Sequence, residues 1–274
     1  MARPPGTYLA EVAEDAARGE TARIYNEIRR LSAVPFVALI YRHLATHPGA
    51  LESAWRTVGP LLQSGAVQRL AWRLATDAWH GAGIDLSGDV MGLDASTAVG
   101  IGRLLDAYNR ANPVNLAVVS LLRDGRGHDA KTGMVEPSHH WAAPPMIAAL
   151  PPIPALDALA PEVRACVEAF AKPAGRETPA LVPTLYRHLA HWPGFLARVQ
   201  LEVLPRLDSG AFDPAIDRFR GAMQREAAAL GVRVQVVNDP ALRELAPVWD
   251  RFTAVIPEMV IVGRFLSRGL AGRL

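Results

Sequence analysis

The chain has 274 residues, of which 50% are apolar and 20% are charged. This composition excludes wholesale disorder and can fill one large domain or two of ordinary size. The 29 basic and 27 acidic side chains give a formal net charge of +2, which excludes a nucleic-acid surface built on neutralising phosphates. A single cysteine, Cys166, excludes a disulfide framework within the chain and a cysteine-rich metal site.

The chain lacks the apolar segments that membranes and export require. No run of about 18 uncharged apolar residues is present. Glu11, Glu14 and Asp15 stand where a signal peptide needs an unbroken apolar stretch. We therefore expect a soluble, cytoplasmic protein that does not bind a membrane.

The first half of the chain has the residue spacing of a series of helices. Apolar residues recur at helical intervals with charges between them. Pro60 is expected to interrupt one helix and Pro113 to begin the last. In chain order, the predicted helices cover residues 16–31, 35–48, 51–62, 67–79, 95–109 and 113–123.

A proline-rich segment follows the first half of the chain. Seven prolines fall between Pro137 and Pro161, and at this density the backbone favours an extended polyproline conformation over a helix. The predicted domains are therefore a first helical repeat at 1–135, a semi-rigid connector at 136–161 and a second helical repeat at 162–274.

The second half repeats the first at an offset of 145 residues. Residues 41–49 match residues 186–194 at seven of nine positions, and 64–66 match 209–211. Near the ends of the halves, Pro113 and Pro257 correspond at an offset of 144. Only residues 232–237 alternate like a strand, and they are too few to make a sheet. The prediction is an all-α fold with five to six helices per half, duplicated and packed as a pseudo-dimer.

The familiar motifs of phosphate loops, dinucleotide folds, zinc proteases and serine hydrolases are missing. His139 and His140 lie in the connector without further residues at metal-ligand spacing. We therefore expect no metal and no organic cofactor. His43 and His188 occupy equivalent places in the two repeats, which favours a structural role.

The densest polar cluster beside an apolar run covers residues 108–115 and contains three asparagines. At the start of a helix, such residues and the exposed backbone N–H groups suit a small anion. Alternatively, Asn109 or Asn112 merely caps the helix. The matching residues 254–257 of the second repeat are apolar, and this asymmetry favours a pocket in which the two repeats play different parts.

Three features together resemble the group I, or DL-type, 2-haloacid dehalogenases. They are residues 34–37 leading into 41–45, the run 108–116 and the proline-rich connector. The resemblance covers nearly the whole chain and implies an all-α, two-repeat fold, a pocket between the repeats for a small organic acid, and a homodimer. More distantly, residues 183–193 resemble the helical repeat of the alkylhydroperoxidase D-like superfamily, whose peroxidase chemistry the single cysteine excludes.

The resemblance also implies roles for particular positions. In the dehalogenase family, an aspartate of the second repeat activates a water molecule that displaces halide from C2 without a cofactor. The resemblance places this aspartate immediately before the Tyr-Arg pair, where this chain has Leu185. The implied substrate-binding positions are Tyr108, Asn109, Asn112, Thr184 and Leu185.

Leucine cannot accept a proton, so water activation would need another base. The candidates are Glu177, His191 and Glu52. Three hypotheses stay open: a 2-haloacid dehalogenase, a cofactor-independent enzyme with different chemistry in the same pocket, and a non-catalytic protein that binds small molecules. A carboxylate or imidazole near Leu185 would favour an enzyme, and an apolar pocket would favour a binding protein.

Overall fold

The computed structural model describes residues 9–86, 92–124, 141–171, 181–231 and 240–271, and structural statements refer to these residues. They form eleven α-helices, which confirms the predicted all-α fold class. A single-turn 3-10 helix, Leu156–Ala158, precedes the sixth. The α-helices are α1 (Gly19–Ser32), α2 (Leu39–Leu44), α3 (Ala50–Gln63), α4 (Ala66–Thr76), α5 (Ala95–Asp124), α6 (Pro161–Glu168), α7 (Thr184–Leu189), α8 (Pro193–Asp208), α9 (Asp213–Gly231), α10 (Pro240–Glu244) and α11 (Ala246–Leu270).

The two longest helices, α5 and α11, form the centre of the fold. They have 30 and 25 residues and make the most extensive contact of any pair of described elements. Helices α4 and α9 pack against α5, and α9 also contacts α11. A single apolar core therefore runs through both halves of the chain.

Helix α5 is continuous through Pro113, so the expected break between two helices at that residue is wrong. Helix α3 likewise continues through Pro60. A proline costs the helix one backbone hydrogen bond, because it has no N–H donor. On either side of Pro113, however, α5 buries apolar side chains completely, among them Leu105 and Val118. Packing against α11 outweighs the local preference. Because no helix begins at Pro113, neither the predicted anion site at a helix start nor the capping role of Asn109 or Asn112 is present.

Several special backbone positions recur at the offsets seen in the sequence. Pro60 lies inside α3 and Pro205 inside α8, 145 residues apart. Gly65 and Gly210 both have a φ of 72°, a left-handed conformation that favours glycine. These recurrences support the predicted duplication. Both the duplication and the domain boundaries stay inferences from the sequence.

The equivalent arginines of the two repeats meet at one carboxylate. Arg42 lies 3.1 Å and Arg187 lies 3.5 Å from the carboxylate oxygens of Glu11. The side chain of Arg42 is 5% exposed, so its interaction with Glu11 is little screened by solvent. The N-terminal segment thereby connects α2 to α7.

The described part of the connector has no regular secondary structure apart from the 3-10 helix Leu156–Ala158, and it forms hydrogen bonds to both halves of the chain. Its Ile147 donates a backbone hydrogen bond to Ala33 of the first half. Its proline carbonyls accept hydrogen bonds from side chains of the second half, because a proline has no N–H but keeps its acceptor. These acceptors are Pro151, Pro152 and Pro154.

The loop before residue 87 packs closely on α11. The backbone N–H of Ile84 donates to the carbonyl of Phe265 at 3.1 Å. A Cβ atom on Gly269 would lie 2.2 Å from the carbonyl oxygen of Ile84, so glycine is required there by close approach.

Two sequence-based expectations concern residues outside the described part of the chain: the strand-like segment 232–237, and the pair His139 and His140. None of the helices in the described part has the length and continuous apolar character needed to cross a lipid bilayer.

Candidate functional site

A cavity of about 50 Å³ lies where α2 and α7 approach the middle of α5 and α11. This volume holds roughly four water molecules or a ligand of a few heavy atoms. Fifteen described residues line it: Phe36, Ala38, Leu39, Ile40, Tyr108, Asn112, Asn115, Leu181, Pro183, Thr184, Leu185, Phe252, Val255, Ile256 and Met259.

Helix α5 supplies most of the polar groups. Tyr108, Asn112 and Asn115 are spaced i, i+4 and i+7, so they share one face of the helix. At an offset of 144, α11 presents three apolar side chains with the same spacing: Phe252, Ile256 and Met259. The cavity therefore has a polar wall from the first half of the chain and an apolar wall from the second.

The first residues of the two short helices complete the lining. Leu39 and Ile40 begin α2, and Thr184 and Leu185 begin α7 at an offset of 145. Only Thr184 of these four carries a polar side chain. It adds a hydroxyl donor to the amides of α5.

The two cavity asparagines make no hydrogen bond to described protein atoms through their side chains, although Asn115 is only 4% exposed. Their donors and acceptors are thus free for a ligand or water inside the cavity.

No lining residue carries a carboxylate, imidazole, amine or guanidinium group. Leu185, at the position where the dehalogenase resemblance implies an aspartate, is 1% exposed and contributes an apolar side chain to the lining. The lining itself therefore contains no group that would take a proton from water at neutral pH.

An imidazole does lie directly behind the lining. The Tyr108 hydroxyl is 3.3 Å from Nδ1 of His188, and Nε2 of His188 is 2.5 Å from the carbonyl oxygen of Pro151. A carbonyl oxygen only accepts, so Nε2 carries the hydrogen. Burial lowers the pKa of His188 to about 4, against a smaller opposing effect of the Pro151 carbonyl. The ring is therefore neutral at pH 7, and its unprotonated Nδ1 accepts the hydrogen of Tyr108.

Tyr108 keeps its hydrogen at neutral pH. Burial raises the pKa of its hydroxyl well above the usual value, more than the positive charges of Arg42 and Arg187 lower it. The ring of Phe36 packs 4.8 Å from that of Tyr108. Tyr108 and His188 thus form a neutral, fixed pair at the polar wall.

Four of the five positions implied as substrate-binding come together in the lining: Tyr108, Asn112, Thr184 and Leu185. Asn109 does not, because its amide donates to the Ser267 hydroxyl at 2.8 Å and joins α5 to α11.

The three candidate replacement bases are elsewhere or are not described. His191 is exposed, and its Nε2 donates to Pro152 at 2.8 Å. Glu52 is half-buried on α3 and does not line the cavity. Glu177 lies outside the described residues.

Asn115 and His188 were not among the site residues predicted from the sequence. The i, i+4, i+7 spacing from Tyr108 would have found Asn115 had residues 108–115 been treated as one helix. His188 was assigned a structural role because His43 is its equivalent, but the two differ in their contacts. His43 uses Nδ1 to reach the carbonyl of Ala10 at 2.7 Å, whereas His188 keeps Nδ1 for Tyr108.

Within the described ranges, no group of three His, Cys, Asp or Glu residues is placed to hold a metal ion.

Comparison with known proteins finds similarity in structure alone. No family model matches the sequence, and no curated protein matches it. A D-2-haloacid dehalogenase mutant in complex with D-2-CPA superposes with a TM-score of 0.64 at 20% identity, covering 98% of this chain and 99% of the other. A D-2-haloacid dehalogenase in complex with L-LA gives 0.62 at 20% identity, covering 100% and 98%. The chain has a D-2-haloacid dehalogenase-like fold over its full length.

Proposed function

We propose that this chain binds a short-chain organic acid in the cavity between α2, α5, α7 and α11 and does not hydrolyse a carbon–halogen bond by the aspartate route. The observation that carries the proposal is the lining itself, which combines free neutral donors with Leu185 in place of a carboxylate. The fold is shared with D-2-haloacid dehalogenases, which have been solved in complex with the small molecules D-2-CPA and L-LA.

The donors suit a carboxylate ligand. The side-chain amides of Asn112 and Asn115 and the hydroxyl of Thr184 belong to the same cavity and can donate to acid oxygens. The nearby Arg42 and Arg187 share the single carboxylate of Glu11, so this cluster carries a formal charge of +1. Its positive potential favours an anionic ligand over a cationic one.

The lining opposes hydrolysis. A positioned general base contributes about 10²–10⁴-fold to the rate of proton transfer. An aliphatic side chain at residue 185 contributes nothing of this kind, and the other lining residues do not replace it. The ligand would be bound with its substituent at C2 intact.

A second candidate is an enzyme that passes a proton through Tyr108 to His188. The 3.3 Å contact between these side chains favours it. However, a pKa of about 4 means that protonating His188 at pH 7 costs about 4 kcal/mol. This would slow the step by about three orders of magnitude. Binding is therefore the better-supported function.

The test combines a binding measurement with a chemical one. Purified protein is titrated calorimetrically with both enantiomers of 2-chloropropionate, and chloride is measured after prolonged incubation against a heat-killed control. We expect saturable binding and no chloride above the control. Chloride release would refute the loss of hydrolysis, and absence of any binding would refute the acid-binding function.

A matched pair of variants tests the polar wall. Asn115→Leu removes a free amide, and Met259→Leu changes the corresponding residue of the apolar wall. We expect Asn115→Leu to lose at least about tenfold in affinity, because the ligand loses one amide donor of the polar wall. Met259→Leu should keep its affinity. Equal affinities in both variants would contradict the proposal.

A further inference from the structure

The Tyr108 hydroxyl differs from the other polar groups of the lining in having a fixed direction. The side chains of Asn112, Asn115 and Thr184 make no hydrogen bond to described protein atoms, so each can turn to donate or accept. Tyr108, in contrast, is bonded to His188. Its role toward a ligand is therefore set by the protein.

His188 fixes that role through its second nitrogen. The bond from Nε2 to the carbonyl of Pro151, at 2.5 Å, leaves Nδ1 with a lone pair and no hydrogen. Burial of the imidazole, which lowers its pKa to about 4, keeps a second proton off the ring. The hydrogen of Tyr108 is thus directed at Nδ1, over a bond that is long at 3.3 Å. Its oxygen keeps its lone pairs, which a ligand hydroxyl in the cavity that Tyr108 lines could use as acceptors.

We propose that Tyr108, positioned by His188, makes the cavity selective for a short-chain hydroxy acid over the corresponding 2-halo acid or unsubstituted acid. The inference rests on the proposed acid-binding function and adds the class of ligand to it. The ligand hydroxyl donates to the Tyr108 oxygen, while the acid group accepts from the amides of Asn112 and Asn115 and from the Thr184 hydroxyl. The cavity of about 50 Å³ restricts the ligand to a few heavy atoms.

A halogen at the same place has no hydrogen to donate. Either the Tyr108 oxygen stays unpaired, or its hydrogen turns to the ligand and leaves Nδ1 of His188 unpaired. One hydrogen bond is lost in both cases inside a buried site, which corresponds to about tenfold in affinity.

The experiment measures the dissociation constants of both enantiomers of lactate and of 2-chloropropionate, and of propionate, by calorimetry at pH 7. The wild type is compared with Tyr108→Phe, which keeps the ring against Phe36, and with His188→Gln, which removes the acceptor at Nδ1. His43→Gln is the matched control, because His43 is the equivalent histidine and does not line the cavity. Circular dichroism and melting temperature establish that each variant is folded.

We expect the wild type to bind one enantiomer of lactate about tenfold more tightly than either chloropropionate or propionate. Tyr108→Phe and His188→Gln should lose this ratio, and His43→Gln should keep it. The ratio of affinities separates positioning from a general loss of structure, which would weaken all ligands alike. The ¹⁵N chemical shifts of the His188 ring should also show that Nδ1 is unprotonated. The shift of Nδ1 should change in Tyr108→Phe, because its hydrogen-bond donor is removed.

Two results overturn the inference and are distinguishable from failure of the proposed function. If the acids bind with equal affinity, or if Tyr108→Phe retains the preference, the selectivity is refuted while acid binding stands. If none of the acids binds, the proposed function fails and the selectivity fails with it.

Discussion

Replacing Leu185 by aspartate perturbs the cavity at the position where the resemblance implies a base. Leu185 is 1% exposed in the wall of the cavity. Loss of its packing should cost about 2–4 kcal/mol. The new carboxyl would have no cationic group among the lining residues, so desolvation should raise its pKa from about 3.9 by roughly 3 units. At a pH above the folded pKa, this shift lowers the free energy of unfolding by about 4 kcal/mol more.

The pH dependence has a definite sign. Because the folded state would hold the proton more tightly than the unfolded state, Leu185→Asp should be most stable below about pH 4. Its stability should fall as the pH rises toward the folded pKa near 7, and stay constant above it. Leu185→Asn loses the same packing and has no ionisable group, so it is the matched control.

Urea denaturation of both variants at pH 5 and pH 8 measures the effect. The difference in unfolding free energy between the aspartate and asparagine variants should grow by about 3 kcal/mol between these pH values. Chloride release from 2-chloropropionate should be absent in the wild type and in Leu185→Asn. It should become detectable in Leu185→Asp and rise with pH as the carboxyl ionises. If the two variants differ equally at both pH values, the wall at residue 185 is not dry and the reasoning is wrong.

Three further predictions concern stability. Burial lowers the pKa of His188 from 6.5 to about 4. The stability that depends on its neutral ring is therefore complete above about pH 6.5 and is lost as the pH falls toward 4. When the pH is lowered from 7 to 4.5, the free energy of unfolding measured in urea should therefore fall by about 2 kcal/mol less in His188→Asn than in the wild type. Glu11→Gln removes the carboxylate shared by two largely buried arginines and should cost about 2–4 kcal/mol in the same assay. Glu20→Gln, which loses an exposed ion pair, should have no measurable effect. Gly269→Ala would bring a methyl group 2.2 Å from a backbone carbonyl oxygen and should lower the melting temperature by several degrees, whereas Gly221→Ala in α9 should leave it equal or raise it slightly.

Each of these has a result that contradicts it. An unchanged pH dependence in His188→Asn would mean that the imidazole is not buried as a neutral ring. Equal effects of the two glutamate substitutions would mean that the arginines do not depend on Glu11. Tolerance of alanine at residue 269 would mean that α11 does not approach the loop at Ile84 so closely.

The helical periodicity, the repeated Tyr-Arg-His segments and the proline-rich stretch were enough to predict an all-α chain of five to six helices per half. These are local signals, because the spacing of apolar residues along a helix is visible without any knowledge of its neighbours. They also placed Tyr108, Asn112, Thr184 and Leu185 among the candidate ligand contacts, with the resemblance to dehalogenases supplying the last two.

The prediction from the sequence was wrong where tertiary packing overrides the local preference of proline to end or begin a helix. Pro113 was expected to start a helix, and only the burial of α5 against α11 and α9 makes the helix continuous there. That continuity rotates Asn109 away from the cavity toward Ser267 and turns Asn115 into it.

The sequence by itself determined that the chain is helical and that its halves differ in polarity, since both follow from the order of apolar and polar residues. Only the tertiary structure decided which polar groups share a cavity and what each can do there. Tyr108 and His188 are 80 residues apart in the chain. The carbonyl of Pro151 determines which of them donates, because it holds the imidazole hydrogen on Nε2 and leaves Nδ1 as an acceptor. No periodicity along one segment encodes such a contact, because it depends on how α5, α7 and the connector pack together.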